Sequence, residues 1–99
     1  MGYLQRTRQN VIDSDGTLIV NLGTLEGGTF ATAKLAPKLG KPHIVLQLDS
    51  GVGAEEVKQL LDWLRRESIS TLNVAGPRES KRPGIYSLTN ALLDSAAKT

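Results

Sequence analysis

The feature that most constrains this chain is a short apolar run that passes, through a glycine-rich stretch, into a helix. Thr17-Leu18-Ile19-Val20-Asn21-Leu22 is β-branched and apolar and has glycine on both sides, so it reads as a buried strand. Gly23 to Gly28 reads as a turn. Thr29 to Leu39 is rich in Ala and Leu and stops at Gly40, the pattern of a helix, with Pro37 fraying or kinking its last turn. A strand followed this closely by a helix belongs to α/β architectures, where the chain returns over the sheet to add a parallel neighbour.

The remaining segments repeat that alternation. Tyr3 to Ser14 reads as a helix, with Leu4 and Val11 on one face and Asp13-Ser14-Asp15-Gly16 ending it. His43 to Leu48 is a second strand and Asp49 to Gly53 a loop. Ala54 to Ser68 is the clearest helix: Val57, Leu60, Leu61 and Leu64 form one stripe, with Glu55 and Glu56 in the first turn and Arg65 and Arg66 in the last, each suited to the helix dipole. Ile69 to Ala75 reads as a third strand, ending at Gly76-Pro77, and a polar loop runs to Arg82. Pro83 then opens a last helix with Ile85, Leu88 and Leu92 inward. The expected fold is one α/β domain over residues 1–99, with about three parallel strands and helices on both faces. So few strands leave both sheet edges open, which favours association with a second copy, a homo-oligomer, or with a missing partner segment.

Composition removes several functions. The chain has no cysteine, which excludes disulfides, Cys-type zinc sites and a thiol nucleophile and is compatible with the cytoplasm. The N-terminus lacks the apolar core of a signal peptide, and no apolar run reaches the roughly 18 residues of a membrane span. The net charge is +2, and Arg78, Lys81 and Arg82 form only a mild basic group interrupted by Glu79. With 4% aromatic residues there is no stacking platform, so neither a nucleic acid nor a membrane is an expected partner.

In open parallel sheets ligands bind beyond the carboxyl ends of the strands. Three loops are expected there: Gly23 to Gly28, Asp49 to Gly53 and Gly76 to Arg82. In the first, Gly23, Gly27 and Gly28 let the backbone approach an anion, the next helix aims free N–H groups at it, and Thr24 and Thr29 add hydroxyls. This is neither a Walker A loop nor G-x-G-x-x-G. The same glycines would also serve a plain tight turn. Beside it, Gly76, Arg78 and Ser80 supply a close backbone approach, a guanidinium fork and a hydroxyl; the alternative for Arg78 is a solvated surface pair with Glu79. The single histidine, His43, falls at the amino end of its strand and reads as structural or surface. Trp63 reads as core or interface packing, and no metal-ligand spacing or Ser-His-Asp set is present.

Several stretches together resemble a known bacterial family. These are Arg6-Thr7, Asn10-Val11, Asp13-Ser14-Asp15-Gly16-Thr17-Leu18-Ile19, Gly27-Gly28-Thr29, Leu39-Gly40-Lys41-Pro42 and Leu72-Asn73-Val74-Ala75-Gly76-Pro77-Arg78-Glu79-Ser80, followed by Pro83-Gly84-Ile85-Tyr86. They are similar to the family labelled putative molybdenum carrier, a circularly permuted YpsA-like branch of the SLOG superfamily of Rossmann-like nucleotide-binding proteins. The resemblance implies a three-layer Rossmann-like (flavodoxin- or SLOG-like) sheet and a small phosphorylated ligand, a nucleotide or phosphate; molybdate enters only through the family label. Members of that family carry, ahead of this region, a further strand with a GGQTGVD-type motif, whereas here the sequence starts at Met1-Gly2-Tyr3. The expectation is therefore the C-terminal portion of the family's domain, either a fragment or a shortened chain that completes its sheet by oligomerising.

The lonely-guy phosphoribohydrolases, more distant members of the superfamily, use an Arg on the helix before the strand and a Glu just after a Gly-Gly-x-Gly-Thr loop. With Asp15 and Gly28-Thr29 set on that pattern, Arg6 takes the place of the Arg and Thr32 that of the Glu, with a longer spacing between. A hydroxyl cannot replace a carboxylate in acid–base work at neutral pH. The resemblance thus implies a site that holds rather than cuts, with Arg6 joining the binding residues and no catalytic residue. The leading expectation is a nucleotide- or phosphoanion-binding module. One alternative is a hydrolase of nucleotide-derived substrates, for which only Glu26, Asp49 and Glu79 are nearby carboxylates; the other is an oligomeric scaffold using the open edges and the Trp63 face.

Overall fold

A computed structural model describes residues 3–98, with side chains from Gln5 onward. The elements run α1 (Tyr3–Asp13), β1 (Gly16–Asn21), α2 (Gly27–Lys38), β2 (His43–Gln47), α3 (Ala54–Arg66), β3 (Leu72–Ala75) and α4 (Ile85–Ala97). The strands form one parallel sheet in the order β2-β1-β3. This is the α/β, Rossmann-like arrangement expected.

The central strand β1 is buried along its whole length because both of its faces are covered. Alternate side chains go to opposite faces. Leu18 and Val20 join Leu46, Leu48, Leu60, Trp63, Ile85 and Leu92 in the main core beneath α3 and α4, which pack on each other. Ile19 falls on the other face, outside that cluster, where Val11 of α1 and Ala36 of α2 are fully buried. Of the stripe predicted for α3, Leu60 is buried and Val57 and Leu64 pack against the core, while Leu61 is only half-buried and falls outside that cluster; Trp63 is a core residue. Leu4, the expected partner of Val11, lies outside the described side chains.

Most boundaries differ from the sequence reading by a residue or two, α3 ending at Arg66 rather than Ser68, and three differences bear on the site or have a clear local reason. β3 starts at Leu72 rather than Ile69, because the N–H groups of Ser70 and Thr71 are both taken by Asp15 Oδ2, at 2.9 and 2.8 Å, and Ile69 still bonds back to Leu64. α4 does not open on Pro83. Gly84 is its N-cap, in a left-handed conformation, and the Glu79 carboxylate accepts from the N–H groups of Gly84 and Tyr86 at 2.7 and 3.0 Å. α2 begins at Gly27 instead of Thr29, so both glycines belong to its first turn.

Candidate functional site

That early start of α2 shapes the carboxyl end of the sheet. A helix leaves its first N–H groups without intrahelical partners. The first bond of α2 is Phe30 N–H to the Glu26 carbonyl, so the amides of Gly27, Gly28 and Thr29 remain unbonded among the described residues, and no side chain caps them. Gly27 has φ +58 and enters a right-handed helix, a reversal that points successive N–H groups into one concavity and that glycine tolerates best.

Opposite lies the loop that leaves β3. Gly76 is pressed against β1: a Cβ at this position would stand 2.8 Å from the Val20 carbonyl oxygen. Only glycine lets the chain turn off the strand so close to its neighbour. Between the loop and α2 is an open cavity of about 430 Å³ lined by Asn21, by Glu26 to Thr29, and by Gly76, Pro77, Arg78, Ser80, Lys81 and Arg82.

Arg82 straps the two walls together. Its Nε donates to the Leu22 carbonyl at 2.8 Å, and one terminal nitrogen donates to Glu26 Oε2 at 2.6 Å and to the Thr24 carbonyl at 3.4 Å. The hydrogen bond and charge of this guanidinium hold the Glu26 carboxyl below its ordinary range. Arg78 has no ion pair among the described residues. The alternative pairing with Glu79 is not formed, because Glu79 is committed to the α4 amides; those two N–H groups lower its pKa.

Of the residues expected to bind a ligand, Gly27, Gly28, Thr29, Gly76, Arg78 and Ser80 come together on this cavity. Gly23, Thr24 and Arg6 are not on its wall. Gly23 is consumed internally: its N–H donates to Asp49 Oδ1 at 2.8 Å, and its carbonyl accepts from Asn21 and Gln47. Arg6 is exposed on α1. The Asp49–Gly53 loop braces Gly23 through Asp49 but contributes nothing to the lining. Thr32 is 1% exposed, and its hydroxyl donates to the Gly28 carbonyl at 2.9 Å, turned into its own helix.

Of the lining residues, Asn21, Glu26, Pro77, Lys81 and Arg82 were not among the expected binding residues, and Asn21 and Arg82 matter most to the geometry. Arg82 stood within a recognised basic group, but its reach of about sixty residues back along the chain is visible only in three dimensions. Asn21 had a signal. It is a lone amide in an otherwise apolar strand end, and the parallel register sets Gln47, a second amide, beside it. The two are bonded, Asn21 Nδ2 to Gln47 Oε1, at 2.8 Å.

Comparison with known proteins agrees with the fold. The family model described as "Circularly permutated YpsA SLOG family" matches residues 1–97. The crystal structure of a putative molybdenum carrier protein from Syntrophus aciditrophicus is similar, with 41% sequence identity and a TM-score of 0.86. The match covers 95% of this chain and 60% of that one, so the chain spans well under two thirds of that relative's length. Among curated proteins none matches. No helix among the described residues is long and apolar enough to cross a membrane.

Proposed function

The chain belongs to the circularly permutated YpsA SLOG family, and from that premise we propose that its cavity holds the phosphoryl group of a nucleotide or of another small phosphoanion. The observation that carries the reading is the meeting, across one cavity, of the amides of Gly27, Gly28 and Thr29, unbonded among the described residues, with the Arg78 guanidinium, which has no ion pair among them. Helix-start amides and a guanidinium fork are both suited to tetrahedral oxyanions. Lys81 and Ser80 add a further cation and a hydroxyl. The name of the Syntrophus relative brings molybdate into the same class, since it too would present oxygens to those amides.

Retention rather than turnover is the chemistry these side chains support. Glu26 is bound to Arg82, Asp49 to Gly23 and Gln47, and Glu79 to the start of α4, so each carboxylate weighed for a hydrolase already has a structural task.

Thermal unfolding with added phosphate or a nucleoside monophosphate tests the proposal. At ten times its Kd a ligand adds about 1.4 kcal/mol of stability, which raises the melting temperature by roughly 5–10 °C in a domain of this size. Gly28→Val, which sets a branched side chain at the amides, is expected to abolish the rise while leaving the protein folded. A flat response across phosphate, molybdate and nucleotides would sink the reading.

A further inference from the structure

One buried side chain of this cavity has a bonding pattern that bears on what else the ligand carries. Asn21 is 1% exposed and lies on the cavity wall. Its amide orientation is set from outside, starting at Asp49. A carboxylate only accepts hydrogen bonds. Asp49 Oδ1 takes the Gly23 N–H and Oδ2 takes Gln47 Nε2 at 2.9 Å, which turns the Gln47 oxygen toward Asn21. That oxygen receives Asn21 Nδ2 at 2.8 Å, and the Gly23 carbonyl receives it at 3.0 Å. Both amide hydrogens of Asn21 are then spent, while Oδ1 has no donor among the described residues. No buried side-chain polar atom there is both shut away from solvent and unpartnered, so Oδ1 retains an opening. For a residue this buried, the cavity is that opening.

We infer that Asn21 Oδ1 is a specificity determinant that accepts a hydrogen bond from a hydroxyl or amino group on the organic part of the ligand. The cavity thereby selects phosphate esters bearing such a donor, as a ribose phosphate does, over donor-free esters and bare oxyanions. The inference rests on the phosphoanion reading of the same cavity and narrows it. Molybdate and an alkyl phosphate dianion present acceptors only, so against Oδ1 they set lone pair to lone pair and displace water without replacing its hydrogen bond. A hydroxyl beside the phosphate supplies the missing donor. Asp49 and Gln47 are positioning residues in this scheme: they keep the amide from turning its nitrogen to the ligand.

The test is calorimetric titration with ribose 5-phosphate and with ethyl phosphate, at about pH 8, well above the second phosphate pKa of about 6. Ribose 5-phosphate is expected to bind about tenfold more tightly, the scale of one net hydrogen bond. Asn21→Ala should bring the two esters to parity, chiefly by weakening ribose 5-phosphate. Because that position is buried, Gln47→Met at an exposed site is the second variant; it removes one of the two acceptors that orient the Asn21 amide, leaving the Gly23 carbonyl, and should narrow the difference between the two esters. Equal binding of both esters by the unmodified protein, or equal weakening of both by Asn21→Ala, overturns the inference and leaves the phosphate site standing. Binding of neither ester overturns both.

Discussion

The two ends of the sheet use similar side chains and finish in opposite states. At the amino end, Asp15 accepts from Ser70 and Thr71, the Lys41 ammonium donates to the Ser14 carbonyl, and Thr17 N–H reaches the Pro42 carbonyl. At the carboxyl end, Asp49 and Arg82 tie loops in the same manner, yet the α2 amides, Arg78 and Asn21 Oδ1 remain open to the cavity. A carboxylate that closes a loop at one end serves, at the other, to hold an acceptor uncovered. The fixed groups around the cavity are what make its open groups specific in direction, since an amide free to flip could offer either atom.

The largest effect is expected where the carboxyl end is tightest. Gly76→Ala places a methyl against the Val20 backbone, which cannot move aside as a flexible side chain could. Overpacking of this kind costs about 1–3 kcal/mol, a drop of roughly 5–20 °C in melting temperature. The ligand-induced rise should shrink with it, because the loop bearing Arg78 is displaced. Unchanged melting and unchanged ligand response would mean that this close approach does not hold the cavity wall. Arg82→Met comes next. It removes the strap to Leu22 and Glu26 while keeping much of the apolar stem; the half-exposed setting of the pair limits the loss to about 1 kcal/mol. Anion affinity should fall with little change in secondary structure by circular dichroism. If affinity holds, the two walls do not need Arg82 to stay together.

Much of this fold was legible because its strands and helices announce themselves by period and punctuation. The α3 stripe, with its acidic start and basic end, needed no tertiary information. The errors fell where a distant group overrode the local pattern. Ile69, Ser70 and Thr71 have strand-like side chains, but Asp15, more than fifty residues earlier, claims the N–H groups of the latter two before a ladder can. Pro83 has the right chemistry for a helix start, yet the Glu79 carboxylate caps the helix at Gly84, so it begins at Ile85. In the site, backbone donors were readable from glycine placement, as at Gly27 and Gly28. The Asp49–Gln47–Asn21 relay was not, because it depends on the register of two strands, which only folding sets.

The amino end offers the smallest effect and the sharpest contrast in pH. The Thr71 and Ser70 N–H groups, with a lesser contribution from Lys41, hold the Asp15 carboxyl below its ordinary value in the folded protein. A carboxyl depressed in this way stabilises the fold while ionised. Its contribution is fully present above the unfolded pKa of about 3.9 and is lost as pH falls through the lower folded value. Asp15→Asn should therefore lower the melting temperature modestly at neutral pH and flatten its decline in acid. Glu79, depressed by the amides at the start of α4, retains its own acid response in that variant. A series of melting curves between about pH 2 and 7, the window set by these carboxyls, separates the two ends. If Asp15→Asn leaves the acid limb as steep as before, the clamp on Ser70 and Thr71 does not stabilise the fold, and the contrast between a paired end and an open end loses its amino-terminal half.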